Sequence, residues 1–356
     1  MAAVGTRTEA KPRKRQRALP LEAWPPADRT AWLAATRPGR NILDDGGVAS
    51  HLAPVTVADY TSRYAYFLDF MRDTGRLVHN APAGASVTRE TVRAYLEFLD
   101  DRVASVTQAG SVQKILKVAE WIAPDREWSW LRRVANRLAA RAVPKNKRPR
   151  VVEADRLYDL GLTLMTRAEA EPGYTAYGRA ELYRDGLMVA LLAACPLRRG
   201  NFTALRIGDT LLRSQSRWTI SIPDAEIKTG RPFEMPVPPS LGRKLDRFLA
   251  HHRAAFKGAE GHNHLWPSRN GGPLSDGGVF NVIVRRTREA FGHSVNPHLF
   301  RDSAVTTMAT HHGAHIAVAS SLLGHVDPRV TERHYNQAGM IDAVRAYQDV
   351  VMGSGA

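Results

Sequence analysis

A single cysteine, Cys195, occurs among the 356 residues, so the chain forms no internal disulfide and no cysteine-only zinc site. No apolar run reaches the roughly 20 residues that cross a bilayer. The basic N-terminus lacks the apolar core of a signal peptide, which predicts a reducing cytoplasm, and no membrane, as the protein's environment. A Gly-x-Ser-x-Gly elbow and a Gly-Lys-Ser/Thr phosphate loop are also missing, so serine hydrolysis and ATP binding have no support.

Acidic residues are scarce. Fifty Lys and Arg residues face 35 Asp and Glu residues, which gives a net charge of +15. Such an excess predicts an anionic partner, with nucleic acid as the first choice and an acidic membrane surface as the second. Charged residues make up only 24% and hydrophobic residues 44%, so most of the chain is expected to fold, in about two domains.

Residues 1–50 form a distinct basic segment that we expect to be flexible. Prolines in Leu19-Pro20 and Trp24-Pro25-Pro26 argue against a packed helix. The segment is either a solvated tail or an arm that becomes ordered along DNA phosphates. Five of the seven positions 11–17 are basic, namely Lys11, Arg13, Lys14, Arg15 and Arg17.

Residues 51–142 show four amphipathic helical patterns with short connections, which predicts a helical bundle domain. A proline-containing linker is predicted over 143–152. The stretch 131–150 carries eight basic side chains and no acidic one, and we expect these residues to contact phosphates. They are Arg132, Arg133, Arg137, Arg141, Lys145, Lys147, Arg148 and Arg150.

Residues 153–356 combine helical patterns with one β signal. Trp218, Ile220 and Ile222 alternate with polar residues, and a tight turn is predicted at Thr229-Gly230. The fold class is therefore mostly α with a small antiparallel β-sheet. Helices are predicted over 153–170, 179–195, 240–256, 277–291, 300–311, 315–323 and 340–351.

Histidines concentrate near the C-terminus, with seven of the 13 in the last 64 residues. His311 and His315 have the i, i+4 spacing of a helical metal site, but no His-Glu-x-x-His pattern surrounds them, so we expect no metal and no cofactor. A phosphodiester-transfer site fits better, because guanidinium groups bind phosphate oxygens, imidazoles and lysine move protons, and a tyrosine can be the nucleophile. The chain offers, in order, Arg198, Lys228, His298, Arg301, His325 and Tyr335.

These residues lie in segments that resemble the boxes of the tyrosine recombinase (phage integrase) family of site-specific DNA recombinases. About 70 residues separate Lys228 from His298, and ten separate His325 from Tyr335, as an ordered set. The resemblance covers about 175–340 closely and the helical domain more loosely. The segments are Pro196–Asp209 around Arg198, Ile227–Gly230 around Lys228, Pro297–Arg301, Leu322–His325 and Thr331–Tyr335.

The resemblance implies a helical core-binding domain followed by an α+β catalytic domain. Arg198 and Arg301 would clamp the scissile phosphate, and Tyr335 would attack it to leave a 3′-phosphotyrosine and a free 5′-hydroxyl. Tyr347 follows no histidine box and fits an apolar helix face instead.

The remaining three residues would manage protons. By the same resemblance, Lys228 would protonate the departing 5′ oxygen. His298 would assist proton movement or contact the phosphate, and His325 would donate to a non-bridging oxygen. Two positions depart from the family pattern: Asn201 replaces the usual acidic residue three positions after the first arginine, and Asp302 follows Arg301 where histidine is frequent.

The expected partners also follow from the resemblance. They are double-stranded DNA, three further protomers in a homo-tetrameric synapse, and accessory DNA-bending proteins, which implies a nucleoid-associated protein of a mobile genetic element. The C-terminal segment 340–351 would pack either on a neighbouring protomer or on its own chain. Two alternatives stay open: a non-catalytic DNA-binding relative, and a type IB-like topoisomerase.

Overall fold

The computed structural model describes residues 18–144, 148–223, 233–311, 344–345 and 347–353. At 148, 233 and 308–311 only the backbone is described. Contacts divide the chain into two compact units, Met1–Lys145 and Asn146–Ala356, each with its own hydrophobic core. The mostly helical architecture with one small antiparallel sheet confirms the fold class.

The first unit is a helical bundle in which the helix α4 (Ser105–Ile122) contacts the other helices of the described part. Thr88 is the N-cap residue of α3 (Arg89–Asp100) and forms a capping box with Thr91. Its Oγ1 accepts a hydrogen bond from the Thr91 N–H at 3.2 Å, and Thr91 Oγ1 accepts one from the Thr88 N–H at 2.9 Å. The four predicted helical segments correspond to α2 to α5. The helices are α1 Pro26–Thr36, α2 Pro54–Asp73, α3 Arg89–Asp100, α4 Ser105–Ile122 and α5 Ser129–Arg141.

The stretch 18–36 of the N-terminal segment is packed against this bundle, so the prediction of a flexible segment without a packed helix is wrong there. Pro26 occupies the first turn of α1, where a helix needs no N–H donor. Trp24 and Trp32 are each 2% exposed. The Trp24 ring lies edge-on to Tyr64 at 5.1 Å. The prolines therefore set where the helix begins, and two buried indoles anchor it.

The second unit is built on two long helices, α6 (Ala154–Ala170) and α7 (Ala176–Ala194), whose backbones come into contact. A Cβ atom on Gly161 would lie 2.5 Å from the Ala190 nitrogen, and one on Gly186 would lie 2.7 Å from the Gly161 oxygen. Only glycine permits this approach, which fixes the end of α7 where the chain enters the first arginine segment. The helices are α6 Ala154–Ala170, α7 Ala176–Ala194, α8 Arg199–Thr203, α9 Pro239–Arg247, α10 Asp276–Phe291 and α11 Pro297–His311.

One predicted helix of this unit is divided in the structure. The expected helix over 240–256 is α-helical only to Arg247, and then passes through a π-helical turn over Phe248–His252 and a 3₁₀ turn over Arg253–Ala255. Phe248 and His252 in this turn are buried. The predicted helix over 315–323 lies outside the described residues.

The sheet has three antiparallel strands in the order β1-β2-β3: Leu211–Ser214, Arg217–Ile222 and Phe233–Pro236. Alternate side chains of β2 are buried, as predicted. Leu211 pairs with Ile220, and Ile220 pairs with Met235. Sequence periodicity missed β1, because Leu211 is its only buried residue. The turn predicted at Thr229-Gly230 lies outside the described residues.

The described part of the C-terminal segment packs on its own chain, the second of the two expected arrangements. Val344 and Tyr347 are fully buried. The Tyr347 hydroxyl donates to the Ala193 carbonyl at the end of α7, and the Gln348 amide donates to the Pro236 carbonyl at 2.8 Å. Among the described residues, no helix has the length and apolarity that a membrane span requires.

The packing of α1 predicts the effect of removing Trp32. We expect Trp32→Ala to lower the free energy of unfolding of the first unit by about 3–5 kcal/mol, because it leaves a large cavity. Urea unfolding followed by far-UV circular dichroism measures this change. Leu33→Ala is the matched control: Leu33 is 52% exposed on the same helix, and its loss should change the free energy by less than about 0.5 kcal/mol. Equal effects of both variants would contradict the packed arrangement.

Candidate functional site

Arg198 lies where α7 leads into the short helix α8, of which it is the N-cap residue. The segment is fixed from below by Leu197 and Phe202, which are 3% and 0% exposed. The Trp266 indole donates to the Phe202 carbonyl at 2.9 Å, so it ties the far end of α8 to the core. Arg198 itself is half-buried, so part of its side chain stays accessible above these packed residues.

Arg301 and His298 lie on α11, three residues apart and therefore on one side of the helix. The Asn296 side chain begins this helix by accepting hydrogen bonds from the backbone N–H groups of His298 at 3.0 Å and Leu299 at 3.2 Å. His298 is exposed, whereas Arg301 is only 6% exposed. The helix thus presents one accessible imidazole next to one buried guanidinium.

Arg301 is linked directly to the Arg198 segment. Its Nη1 donates to the Pro196 carbonyl at 2.7 Å, two residues before Arg198. Burial and the positive charge of Arg198 lower the pKa of Arg301 to about 10, while the Asp302 carboxylate acts in the opposite direction. Arg301 therefore stays protonated at neutral pH. Two positive charges that act on each other, one of them desolvated, are suited to bind an anion such as a phosphate.

Asp302, which departs from the family pattern in the sequence, acts electrostatically on Arg301. Its negative charge favours the charged form of Arg301. The two guanidinium charges still outnumber the single carboxylate charge, so the site keeps a positive balance.

The structure links Arg301 to the segment of Arg198 through the Pro196 carbonyl, and His298 lies on the helix of Arg301. Lys228 belongs to the connection between β2 and β3 and lies outside the described residues, as do His325 and Tyr335. Their roles stay predictions. Tyr347, in contrast, is a core residue: its hydroxyl is held by a backbone carbonyl, and burial raises its pKa.

Sequence reasoning missed an ion pair directly after Arg198. Arg199 forms a bidentate ion pair with Asp276, with Nε 2.8 Å from Oδ1 and Nη2 2.5 Å from Oδ2. Asp276 is the first residue of α10 and follows the N-cap Ser275. In the sequence Asp276 has only the signature of a helix start, and nothing there pairs it with an arginine 77 residues away.

The predicted phosphate-contacting residues are described in part. The four arginines of α5 are all exposed. Arg132 pairs with Glu120 at 2.5 Å, and Arg133 donates to the Ser129 hydroxyl at 3.2 Å. In the second unit the exposed Arg150 donates to the Ser294 carbonyl at 3.0 Å. The side chains of Lys145, Lys147 and Arg148, and the basic stretch 11–17, lie outside the described part.

A metal centre finds no support in the part of the chain that the structure describes. No group of three or more His, Cys, Asp and Glu residues is placed there to hold a metal ion. His315 lies outside the described residues, and the side chain of His311 is not described.

Comparison with known proteins gives one family. Residues 164–340 match the model of the phage integrase family. None of the curated proteins compared with the chain matches it.

Solved structures similar to this chain include the XerH site-specific recombinase bound to its difH substrate in a pre-cleavage complex. It is 14% identical with a TM-score of 0.52, over 82% of this chain and 76% of the other. The post-cleavage complex of XerH on palindromic difH is 10% identical with a TM-score of 0.49, over 84% and 76%. A lambda integrase dimer bound to a COC′ core site is 18% identical with a TM-score of 0.44, over 85% and 91%. At this level of identity the XerH pre-cleavage complex supports the fold alone.

The paired guanidinium groups predict that inorganic phosphate stabilises the second unit. At a tenfold excess over its Kd, phosphate should add about 1.4 kcal/mol, which raises Tm by about 3–5 °C. Arg198→Met should lose most of this rise in a thermal melt at constant ionic strength. Arg217→Met, an exposed arginine on β2, is the control and should keep it. Full retention of the rise in Arg198→Met would show that phosphate binds elsewhere.

Proposed function

Because the chain belongs to the phage integrase family of tyrosine recombinases, we propose that it is a site-specific DNA recombinase that cuts and rejoins strands through a 3′-phosphotyrosine intermediate. The observation that carries this proposal is the buried Arg301, which donates to the Pro196 carbonyl of the Arg198 segment and is acted on by the charge of Arg198. A phosphorane transition state gathers negative charge on its non-bridging oxygens, and preorganised guanidinium groups stabilise that charge.

The reaction uses one nucleophile and one acid. The Tyr335 hydroxyl oxygen attacks the phosphorus, and the bond from phosphorus to the 5′ oxygen breaks. Lys228 gives its proton to that oxygen, which leaves as a 5′-hydroxyl. His298 assists by accepting the proton that the tyrosine hydroxyl loses, and His325 donates a hydrogen bond to a non-bridging phosphate oxygen.

Rejoining reverses these steps. The 5′-hydroxyl of a second strand attacks the phosphotyrosine, and the tyrosine leaves as a phenol. Because the phosphoryl group stays an ester throughout, the chemistry needs no energy source such as ATP. We place four protomers at the synapse, since two duplexes with two exchanged strands each require four nucleophiles.

Duplex DNA is the proposed substrate. XerH and lambda integrase were solved on their DNA sites. In this chain the exposed arginines of α5 offer phosphate contacts on one helix of the first unit. Contacts of this kind set affinity and orientation, while base contacts select the site.

A covalent trap tests the catalytic step. On a nicked suicide duplex spanning the ends of the element that encodes the protein, the wild type should form an adduct that survives denaturing electrophoresis. Tyr335→Phe should form none, because it lacks the attacking oxygen. Tyr347→Phe is the matched control and should keep the adduct, since the Tyr347 hydroxyl serves a carbonyl in the core.

Each other outcome of the trap points to a different protein. Duplex binding without any wild-type adduct would indicate a non-catalytic relative. Relaxation of supercoiled DNA regardless of sequence would indicate a topoisomerase. An adduct that persists in Tyr335→Phe would move the nucleophile to another residue.

The salt dependence of duplex binding tests the α5 contacts. With six to ten phosphate contacts, affinity should fall roughly 10³- to 10⁵-fold between 50 and 200 mM salt. Replacing Arg137 and Arg141 by glutamine should lower the slope of log Kobs against log salt by about 2, that is about 0.9 per contact. Arg76→Gln, an exposed arginine after α2, should leave the slope unchanged. An unaltered slope in the double variant would remove α5 from the DNA interface.

A further inference from the structure

The helix that carries Arg198 at its N-terminus is only five residues long. A helix this short is not stable by itself, so contacts with other elements must set its position. The Trp266 indole holds its C-terminal end through the Phe202 carbonyl, and Arg301 holds the segment before it through the Pro196 carbonyl. The first residue of the helix itself, Arg199, is held by α10.

The link between Arg199 and α10 is well defined in geometry. Both guanidinium nitrogens that face Asp276 contact a separate carboxylate oxygen, at 2.8 and 2.5 Å. Thr203 Oγ1 adds a longer contact of 3.4 Å to Asp276 Oδ1. The Arg199 guanidinium also lies 5.6 Å from the centre of the Phe280 ring, one turn further along α10. A planar bidentate pair of this kind restricts rotation as well as distance.

The other end of α10 is tied to the helix of Arg301. Thr287 Oγ1 accepts a hydrogen bond from the Val295 N–H at 2.9 Å and donates within its own helix and to the Val295 carbonyl at 3.2 Å. Val295 lies two residues before α11. The helix α10 therefore spans from the segment of Arg198 to the segment of Arg301.

We propose that Arg199 and Asp276 are a positioning pair that holds Arg198 at its working distance from Arg301. The inference rests on the proposed recombinase function. The pair is 44% and 47% exposed, so breaking it should change Tm little. Its effect should be on the geometry of the phosphate clamp, where small displacements are costly for rate.

Charge reversal with a swap tests the pair. Arg199→Asp and Asp276→Arg should each lower the rate constant of adduct formation about 10-fold, with the duplex Kd unchanged. The double variant, which restores an ion pair in reverse, should recover most of the rate. The control is the pair Arg167–Glu171 on α6, which is similarly exposed at 48% and 43%. Its reversal should leave the rate unchanged.

Three results would overturn the inference: full rate in both single variants, no recovery in the swap, or a rate loss explained by a weaker duplex Kd. The last would show that Arg199 itself contacts DNA.

Inorganic phosphate gives a readout that does not require catalysis. Each single variant should need more phosphate than the wild type to reach half of the Tm increase, and the swap should return to the wild-type value. If the wild type forms no adduct, the proposed function fails and the phosphate titration alone decides on the pair. Identical titrations for all variants would then overturn it.

Discussion

Two guanidinium groups whose positive charges repel each other, those of Arg198 and the buried Arg301, are the constraint on which the candidate site depends. Neither repulsion nor desolvation favours this arrangement, and both lower the pKa of Arg301. The hydrogen bond from Arg301 to the Pro196 carbonyl offsets part of this cost. The same hydrogen bond holds the segment of Arg198 in place. A bound anion near both charges would reduce this cost, so the arrangement is suited to phosphate before any substrate arrives.

Such a site requires that both arginine segments keep their positions. The close backbone contact between α6 and α7 at Gly161 and Gly186 contributes to this. Because the two backbones meet at Gly161 and Gly186, the end of α7 is fixed to the core. From there the chain reaches Arg198 in four residues. The helix α10 then braces the two arginine segments from the side. A functional site carried by packed helices and supporting hydrogen bonds keeps its geometry better than one carried by loops.

The sequence predicted those parts in which a local pattern decides the structure. Helices with one apolar face, such as α3 and α5, are recognisable from periodicity, and so is the alternation in β2. Other parts escaped because their cause is not local: α1 begins at a proline and is stabilised by indoles that pack on another helix, and β1 has a single buried residue. The two arginines stood out by their motifs. The support from Asp276 did not, because only the tertiary fold brings it near.

Charge balance shows what the remaining residues must supply. A phosphodiester carries one negative charge, and its phosphorane transition state carries a second. Arg198 and Arg301 provide two positive charges, of which the Asp302 carboxylate offsets one. This net single charge matches the ground state, and catalysis needs stronger binding of the transition state. We therefore assign the additional stabilisation to the proton donors, foremost to Lys228, whose proton removes charge from the leaving oxygen as it develops.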